Sequence, residues 1–145
     1  MARILSACVS SGKGAAKKPV PVITLIPNHG VEGDAHAGEW HRQISLLAQE
    51  SHETMLRMGV EVKHGDFGEN IVTEGIILKD LPVGTLLRLG ESAVVRVTQI
   101  GKECHDRCAI YARVGDCVMP REGVFVEVIH GGTVKPNDEI ERAEP

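Results

Sequence analysis

Val94-Val95-Arg96-Val97-Thr98-Gln99-Ile100 is the stretch whose reading decides the fold. β-branched side chains are stiff at χ1 and pack well on a pleated backbone. Arg96 and Thr98 alternate with Val95 and Val97, so one face is predicted to meet a core and the other water. Working outward, Val124-Phe125-Val126-Glu127-Val128-Ile129 has the same character downstream. Upstream, Arg3 to Ser10 and Val20 to Ile26 are predicted strands. Pro27-Asn28, Pro82-Val83-Gly84, Gly131-Gly132 and Pro136-Asn137 punctuate the chain between such runs. One helix is predicted from about Ala48 to Met58, with Ala48, Ser51, Met55 and Met58 on one face and Gly59 as the stop. Many short strands and few helices predict a mostly β fold: a closed or half-closed barrel with one or a few short helices, in a single domain over residues 1–145.

Composition narrows the function classes. The chain has 145 residues, 42% hydrophobic and 25% charged, which is a globular composition with room for a real core. Aromatic residues make up only 3%, too few to stack a row of bases, and the net charge is -4. Neither feature suits a nucleic-acid partner. Met1-Ala2-Arg3-Ile4-Leu5 opens no apolar run of signal-peptide length, and no later run is long enough to span a bilayer. The expected setting is the cytoplasm, without a membrane partner. There Cys8, Cys104, Cys108 and Cys117 are expected as free thiols.

Three polar segments could carry chemistry. Gly33-Asp34-Ala35-His36-Ala37-Gly38 brackets an acid and an imidazole with glycines, which lets the backbone approach a ligand closely. The alternative is a turn in which Asp34 bonds its own backbone. Gly65-Asp66-Phe67-Gly68-Glu69-Asn70-Ile71 places Asn70, a donor and an acceptor in one side chain, just before an apolar strand. The alternative there is a hairpin connection with Asn70 in a left-handed conformation. Gly101-Lys102-Glu103-Cys104-His105-Asp106-Arg107-Cys108 follows the deciding strand directly. Lys102, His105 and Arg107 favour a thiolate at Cys104 and so its reactivity.

Metal readings are weaker. His36 and His41 lack a third ligand at a familiar spacing. Cys104, His105, Cys108 and Cys117 could supply four zinc ligands, but the pair Cys104/Cys108 is C-x-x-x-C and no second close pair exists. An iron–sulfur motif would need a third cysteine where Tyr111 stands. Neither zinc nor an iron–sulfur cluster is expected. Ser10-Ser11-Gly12-Lys13-Gly14, continuing to Lys17-Lys18, lacks the spacing of a phosphate-binding P-loop. A solvated cluster of lysines is the simplest reading of it, and a loop whose lysines touch a phosphate is the other.

In order along the chain, Gly33-Asp34-Ala35-His36, Arg42-Gln43-Ile44-Ser45-Leu46-Leu47, Gly68-Glu69-Asn70-Ile71, Pro82-Val83-Gly84-Thr85-Leu86-Leu87-Arg88-Leu89-Gly90 and Val97-Thr98-Gln99-Ile100 leading to Cys104 resemble the MOSC domain, named for the carboxy-terminal region of molybdenum cofactor sulfurase. The likeness is to the small stand-alone bacterial type. It implies a β-barrel of MOSC type and a functional cysteine at Cys104. It implies that Cys104 serves as thiolate ligand to the molybdenum of a molybdopterin cofactor, or as a carrier of cofactor sulfur. Arg42, Lys102 and Lys13 would then face the anionic pterin phosphate, and His36 and Asn70 would position the cofactor by hydrogen bonds.

The same resemblance leaves two other functions open. One is a molybdenum-dependent oxidoreductase of N-oxygenated substrates fed by an external electron donor. The other is a non-catalytic module that binds other cofactor-biosynthesis proteins. Two departures bear on the choice. Many members carry proline before the cysteine, where this chain has Glu103, an acid that partly offsets Lys102. The large amino-terminal domain that helps enclose the cofactor in oxidoreductase members is not expected here.

Overall fold

The computed structural model describes residues 2–10, 12, 17–59, 61, 63–101 and 123–143. Lys13, Lys102, Cys104, Cys108 and Cys117 lie outside the described residues. The strands are β1 (Arg3–Val9), β2 (Lys18–Val20), β3 (Ile23–Ile26), β4 (Gly30–Val31), β5 (Ile44–Ala48), β6 (Ile71–Glu74), β7 (Leu86–Leu89), β8 (Ala93–Ile100), β9 (Val124–His130), β10 (Gly132–Val134) and β11 (Ile140–Ala143). Among the described residues, helix α1 spans Gln49–Arg57 and a 3-10 turn spans Leu78–Asp80. The mostly β expectation holds.

Eight strands form one sheet in the order β11-β7-β8-β9-β5-β6-β1-β2, and β10-β3-β4 form a second, smaller one. The deciding stretch becomes β8. Its residues Ala93, Val95 and Val97 are buried and Arg96 is exposed, as the alternation predicts. β8 pairs antiparallel with β9 through Ile100↔Val124, Gln99↔Phe125 and Val97↔Val126, with a bulge between. β5 lies in the middle of the sheet and is buried at every position. Ile44, Leu46 and Ala48 join the core between the sheets, together with Ile71, Val95, Val124, Val126, Leu25 and Val31. Ser45 and Leu47 alternate to the other face.

β5 and β6 run parallel, with Leu46↔Ile71 and Leu47↔Val72 in register. Parallel neighbours need a crossover connection, and α1 lies within it. The crossover then returns through residues 63–70 to the start of β6.

Three expectations need correction. Among the described residues the sheet does not close as a continuous ladder: β11 and β2 are its ends. A bridge at Arg3↔Glu139 spans the seam, with backbone bonds from Ile4 N to Asp138 O (2.8 Å) and from Asn137 N to Ile4 O (2.7 Å). The predicted strand Val20 to Ile26 is broken at Pro21-Val22, with β2 in the large sheet and β3 in the small one. Proline has no N–H for a ladder, which suits the break. The buried face of α1 is Ser51, His52 and Met55, while Met58 is the C-cap and 48% exposed.

Candidate functional site

The polar residues collect where β1 ends and β6 begins. Ser10 follows β1, and its carbonyl accepts from Ala35 N at 2.7 Å. Its amide donates to Asp34 Oδ1 at 3.1 Å. These two bonds stitch the connection between β4 and β5 to the end of β1. Lys17, just ahead of β2, completes the corner. Its Nζ donates to Asp34 Oδ1 at 2.8 Å and lies 2.9 Å from His36 Nδ1 and 3.5 Å from Ser10 Oγ. The Lys17 and Asp34 side chains are fully buried, and that of His36 is 35% exposed.

Burial alone would push the Asp34 carboxyl up. The Lys17 hydrogen bond, the Ser10 amide, the charge of Lys17 and the Asn70 side chain together outweigh it, so the group sits below its ordinary 3.8. Asp34 also makes the local turn bond of the simpler reading, since its Oδ2 accepts from His36 N at 3.2 Å. Both readings of this motif therefore hold at once: it is a turn, and it is built around a buried charge pair.

Asn70 is buried beside this pair, where it supports the Asp34 carboxylate, accepts from Ser45 Oγ at 3.4 Å and bonds two backbone groups. Oδ1 accepts from Ser45 N at 3.0 Å, and Nδ2 donates to Cys8 O at 3.1 Å. It clips β1, β5 and the start of β6 together. It is not left-handed; the non-glycine residues at positive φ among those described are Asn28 and Asn137. Gly65 of the same motif has a specific task. Lys17 N donates to its carbonyl at 2.8 Å, and a Cβ at Gly65, where φ is +95°, would stand 2.0 Å from Lys17 O. Glycine is required for that approach, which seats Lys17.

Arg42 stands at the far end of the same connection. Its Nε donates to Gln99 Oε1 at 3.2 Å, and its guanidinium lies 5.3 Å from the centre of the Phe125 ring, a cation–π distance. His41 Nε2 also donates to Gln99 Oε1, at 3.0 Å. Gln99 Nε2 donates to Gly101 O at 2.7 Å, and Gly101 N donates to Gly123 O at 2.6 Å. The chain thus leaves β8 for residues 102–122, Cys104 among them, next to the Arg42 contact. Trp40 Nε1 donates to His36 O at 2.8 Å, so one hydrogen-bonded loop joins the two ends.

A second buried group lies under α1. His52 Nε2 donates to Glu69 Oε2, and Glu69 Oε1 accepts from Phe67 N at 3.1 Å. His64 Nε2 donates to Gln49 Oε1 at 2.7 Å, which leaves Nδ1 to accept from the Ser6 hydroxyl. Burial first, and His52 second, lower the His64 pKa below 6.5, with Glu69 opposing.

Of the site residues expected from sequence, the structure links His36 and Asn70 through Asp34, and links Arg42 to His36 through the loop. Sequence reasoning missed Lys17 and the His52–Glu69 pair. Asp34 and His36 share a glycine-bracketed motif, whereas nothing about Lys17 distinguishes it from Lys18. Among the described residues there is no group of three or more His, Cys, Asp or Glu side chains placed to hold a metal ion, and no helix long and apolar enough to cross a membrane.

The family model for the MOSC domain matches residues 33–141, from the Gly33-Asp34 turn to β11. The chain belongs to the MOSC domain family. MOSC domains are commonly linked to molybdenum cofactor binding and to sulfur chemistry. Solved structures share the fold. The YUAD protein from Bacillus subtilis superposes with a TM-score of 0.80 at 20% identity, over 100% of this chain and 98% of that one. YiiM from Geobacillus stearothermophilus gives 0.73 at 20% identity, over 99% and 76% of the two chains. YiiM from Escherichia coli gives 0.68 at 20% identity, over 99% and 70%. At these identities the likeness speaks for the fold. Comparison with curated proteins gave no match.

Proposed function

We propose that this MOSC domain binds a molybdopterin-type molybdenum cofactor or handles its sulfur, with Cys104 as thiolate ligand or sulfur carrier. The observation that carries the reading is the loop joining His36, above the buried Lys17–Asp34 pair, to Arg42, beside the point where the chain departs for Cys104.

The residues suit the chemistry of such a group. A pterin phosphate calls for cationic donors, which Arg42 supplies, joined by Lys102 and Lys13 from the neighbouring sequence. A pterin edge calls for neutral hydrogen-bonding groups, which His36 supplies. Asn70 acts by holding the ends of β1, β5 and β6 through its bonds to Ser45 and Cys8, and by supporting the Asp34 carboxylate. A soft metal favours a thiolate over a carboxylate, which is the part assigned to Cys104. When bound, the cofactor would supply the molybdenum and dithiolene chemistry; the protein would bind and orient it.

Reconstitution with molybdenum cofactor tests the reading. Wild type is expected to retain molybdenum and pterin through desalting. Cys104→Ser should retain roughly tenfold less molybdenum or more, and Arg42→Ala should bind the pterin more weakly. If Cys104→Ser holds both metal and pterin as well as wild type, the assigned role of Cys104 is wrong.

A further inference from the structure

We infer that Gln99 is a positioning residue that aims the guanidinium of Arg42, so that its two terminal nitrogens present a paired donor edge to a phosphate monoester. The inference deepens the cofactor reading above and rests on it only for the identity of the molecule that carries the phosphate.

A fault in the ladder puts Gln99 in place. Along β8, Ala93, Val95 and Val97 are buried, and strict alternation would turn Gln99 into the same core. The register shifts between Val97 and Gln99: Val97 pairs with Val126, and Gln99 with Phe125. Thr98 is therefore the extra residue of a bulge, a device that re-aims a side chain. Beyond it Ile100 pairs with Val124 and packs against the core, while Gln99 shares the opposite face with its partner Phe125.

Arg42 meets both members of that cross-strand pair. Its Nε donates to Gln99 Oε1 at 3.2 Å, and its guanidinium lies 5.3 Å from the centre of the Phe125 ring. A guanidinium only donates, so the amide must turn its oxygen toward it. Two further bonds hold that orientation. Oε1 also accepts from His41 Nε2 at 3.0 Å, and the amide Nε2 donates to Gly101 O at 2.7 Å. Both lone pairs of the oxygen are filled, and the amide is anchored to the backbone just past β8. Gln99 thus holds one edge of the guanidinium, and Phe125 supports it from the ring side.

The consequence is a specific donor geometry. With Nε–H engaged, the N–H groups left to a ligand are those of Nη1 and Nη2. Their end-on pair matches two oxygens of one phosphate, the bidentate contact that separates arginine from lysine. The arginine stem is long and flexible, so holding it before the ligand arrives lowers the ordering cost of binding.

The experiment uses the intact protein labelled with 15N at arginine, with inorganic phosphate as the probe at constant ionic strength. Arg42→Lys assigns the Arg42 Nε–H signal by its loss. Gln99→Met keeps the shape of the side chain and removes its amide. Gln99→Glu keeps acceptor oxygens for Arg42 and His41. Exchange of the Arg42 Nε–H with solvent should be slow in wild type and in Gln99→Glu. In Gln99→Met it should be roughly tenfold faster, as loss of one charge-assisted hydrogen bond implies. Phosphate should shift the Arg42 signals of wild type and bind roughly fivefold more weakly to Gln99→Met. Arg42→Lys, which keeps the charge without the fork, should bind phosphate no better than Gln99→Met. A residue that merely completed the fold would not separate Met from Glu in the exchange rate.

Equal exchange of the Arg42 Nε–H in wild type and Gln99→Met overturns the role of Gln99. Should Gln99→Met not fold, rapid exchange in both wild type and Gln99→Glu overturns it. Equal phosphate affinity in wild type and Gln99→Met, or full affinity in Arg42→Lys, overturns the paired donor edge. By contrast, a wild type with the stated exchange and phosphate results that fails to retain molybdenum cofactor would overturn the functional reading and leave Gln99 in place.

Discussion

Cys8 shows how far one residue's chemistry is set by its neighbours. It sits near the end of β1 with no exposure. Burial, and then the charge of Glu69, push its thiol up from 9.0 to about 12, against the pull of Lys17. Three pH units mean roughly a thousandfold less thiolate at any pH well below both values, and the thiolate is the nucleophile. Cys8 should stay unalkylated by iodoacetamide at about pH 8 in the native protein and react once urea unfolds it. Peptide mass mapping reads the outcome; native-state labelling of Cys8 would show that the site opens without unfolding. Lys17 makes the companion point. It has the composition of a surface residue, yet it is buried against Asp34, where a charge persists only when paired and hydrogen-bonded.

Among the elements, β6 carries a local conflict. Thr73 is fully buried, and its hydroxyl has no hydrogen-bond partner among the described residues. A buried hydroxyl left unpaired costs about 1–3 kcal/mol, whereas an apolar group of the same shape avoids that cost. Thr73→Val should therefore stabilise the protein by about 1 kcal/mol and raise the melting temperature by about 3 °C. Thermal unfolding followed by circular dichroism measures it, and a lower melting temperature would mean that the hydroxyl is satisfied after all. β8 was legible because it has one face on the core, so polarity alternates along it. β9 was legible because β-branched and aromatic residues fill it, although Val124, Phe125 and Val126 are buried in succession. β5 was not legible as a strand. Buried on both faces, Ile44-Ser45-Leu46-Leu47-Ala48 has no alternation to read. The helix was visible by its spacing, but its inward face includes His52, whose burial depends on Glu69 seventeen residues on.

At the scale of the whole molecule, two titrating groups shape stability against pH. His64 has its pKa held below 6.5 in the fold. A lowered folded value means that its contribution is complete above 6.5 and is lost as pH falls through that value toward the folded one. Asp34 is held below 3.8, so its contribution is intact above 3.8 and is lost only as pH falls below it. Urea midpoints should therefore decline in two stages on acidification. His64→Gln should flatten the first stage and Asp34→Asn the second. A wild-type midpoint constant from neutral pH down to about 4 would refute the first assignment.

The sequence by itself determined the β-rich class, the principal strands and the ordered motifs that mark a MOSC domain. These are local patterns, written in alternation and spacing. Only the tertiary structure decided which polar residues meet. Lys17 reaches Asp34 and His36, Asn70 bonds Cys8 across 62 positions, and Arg42 reaches Gln99 across 57. The open ends of the large sheet and the split at Pro21-Val22 were decided there too. The physical reason is common to all of them. A strand's pattern records which face is buried, but strand order and register set which side chains become neighbours, and those depend on pairings between distant parts of the chain.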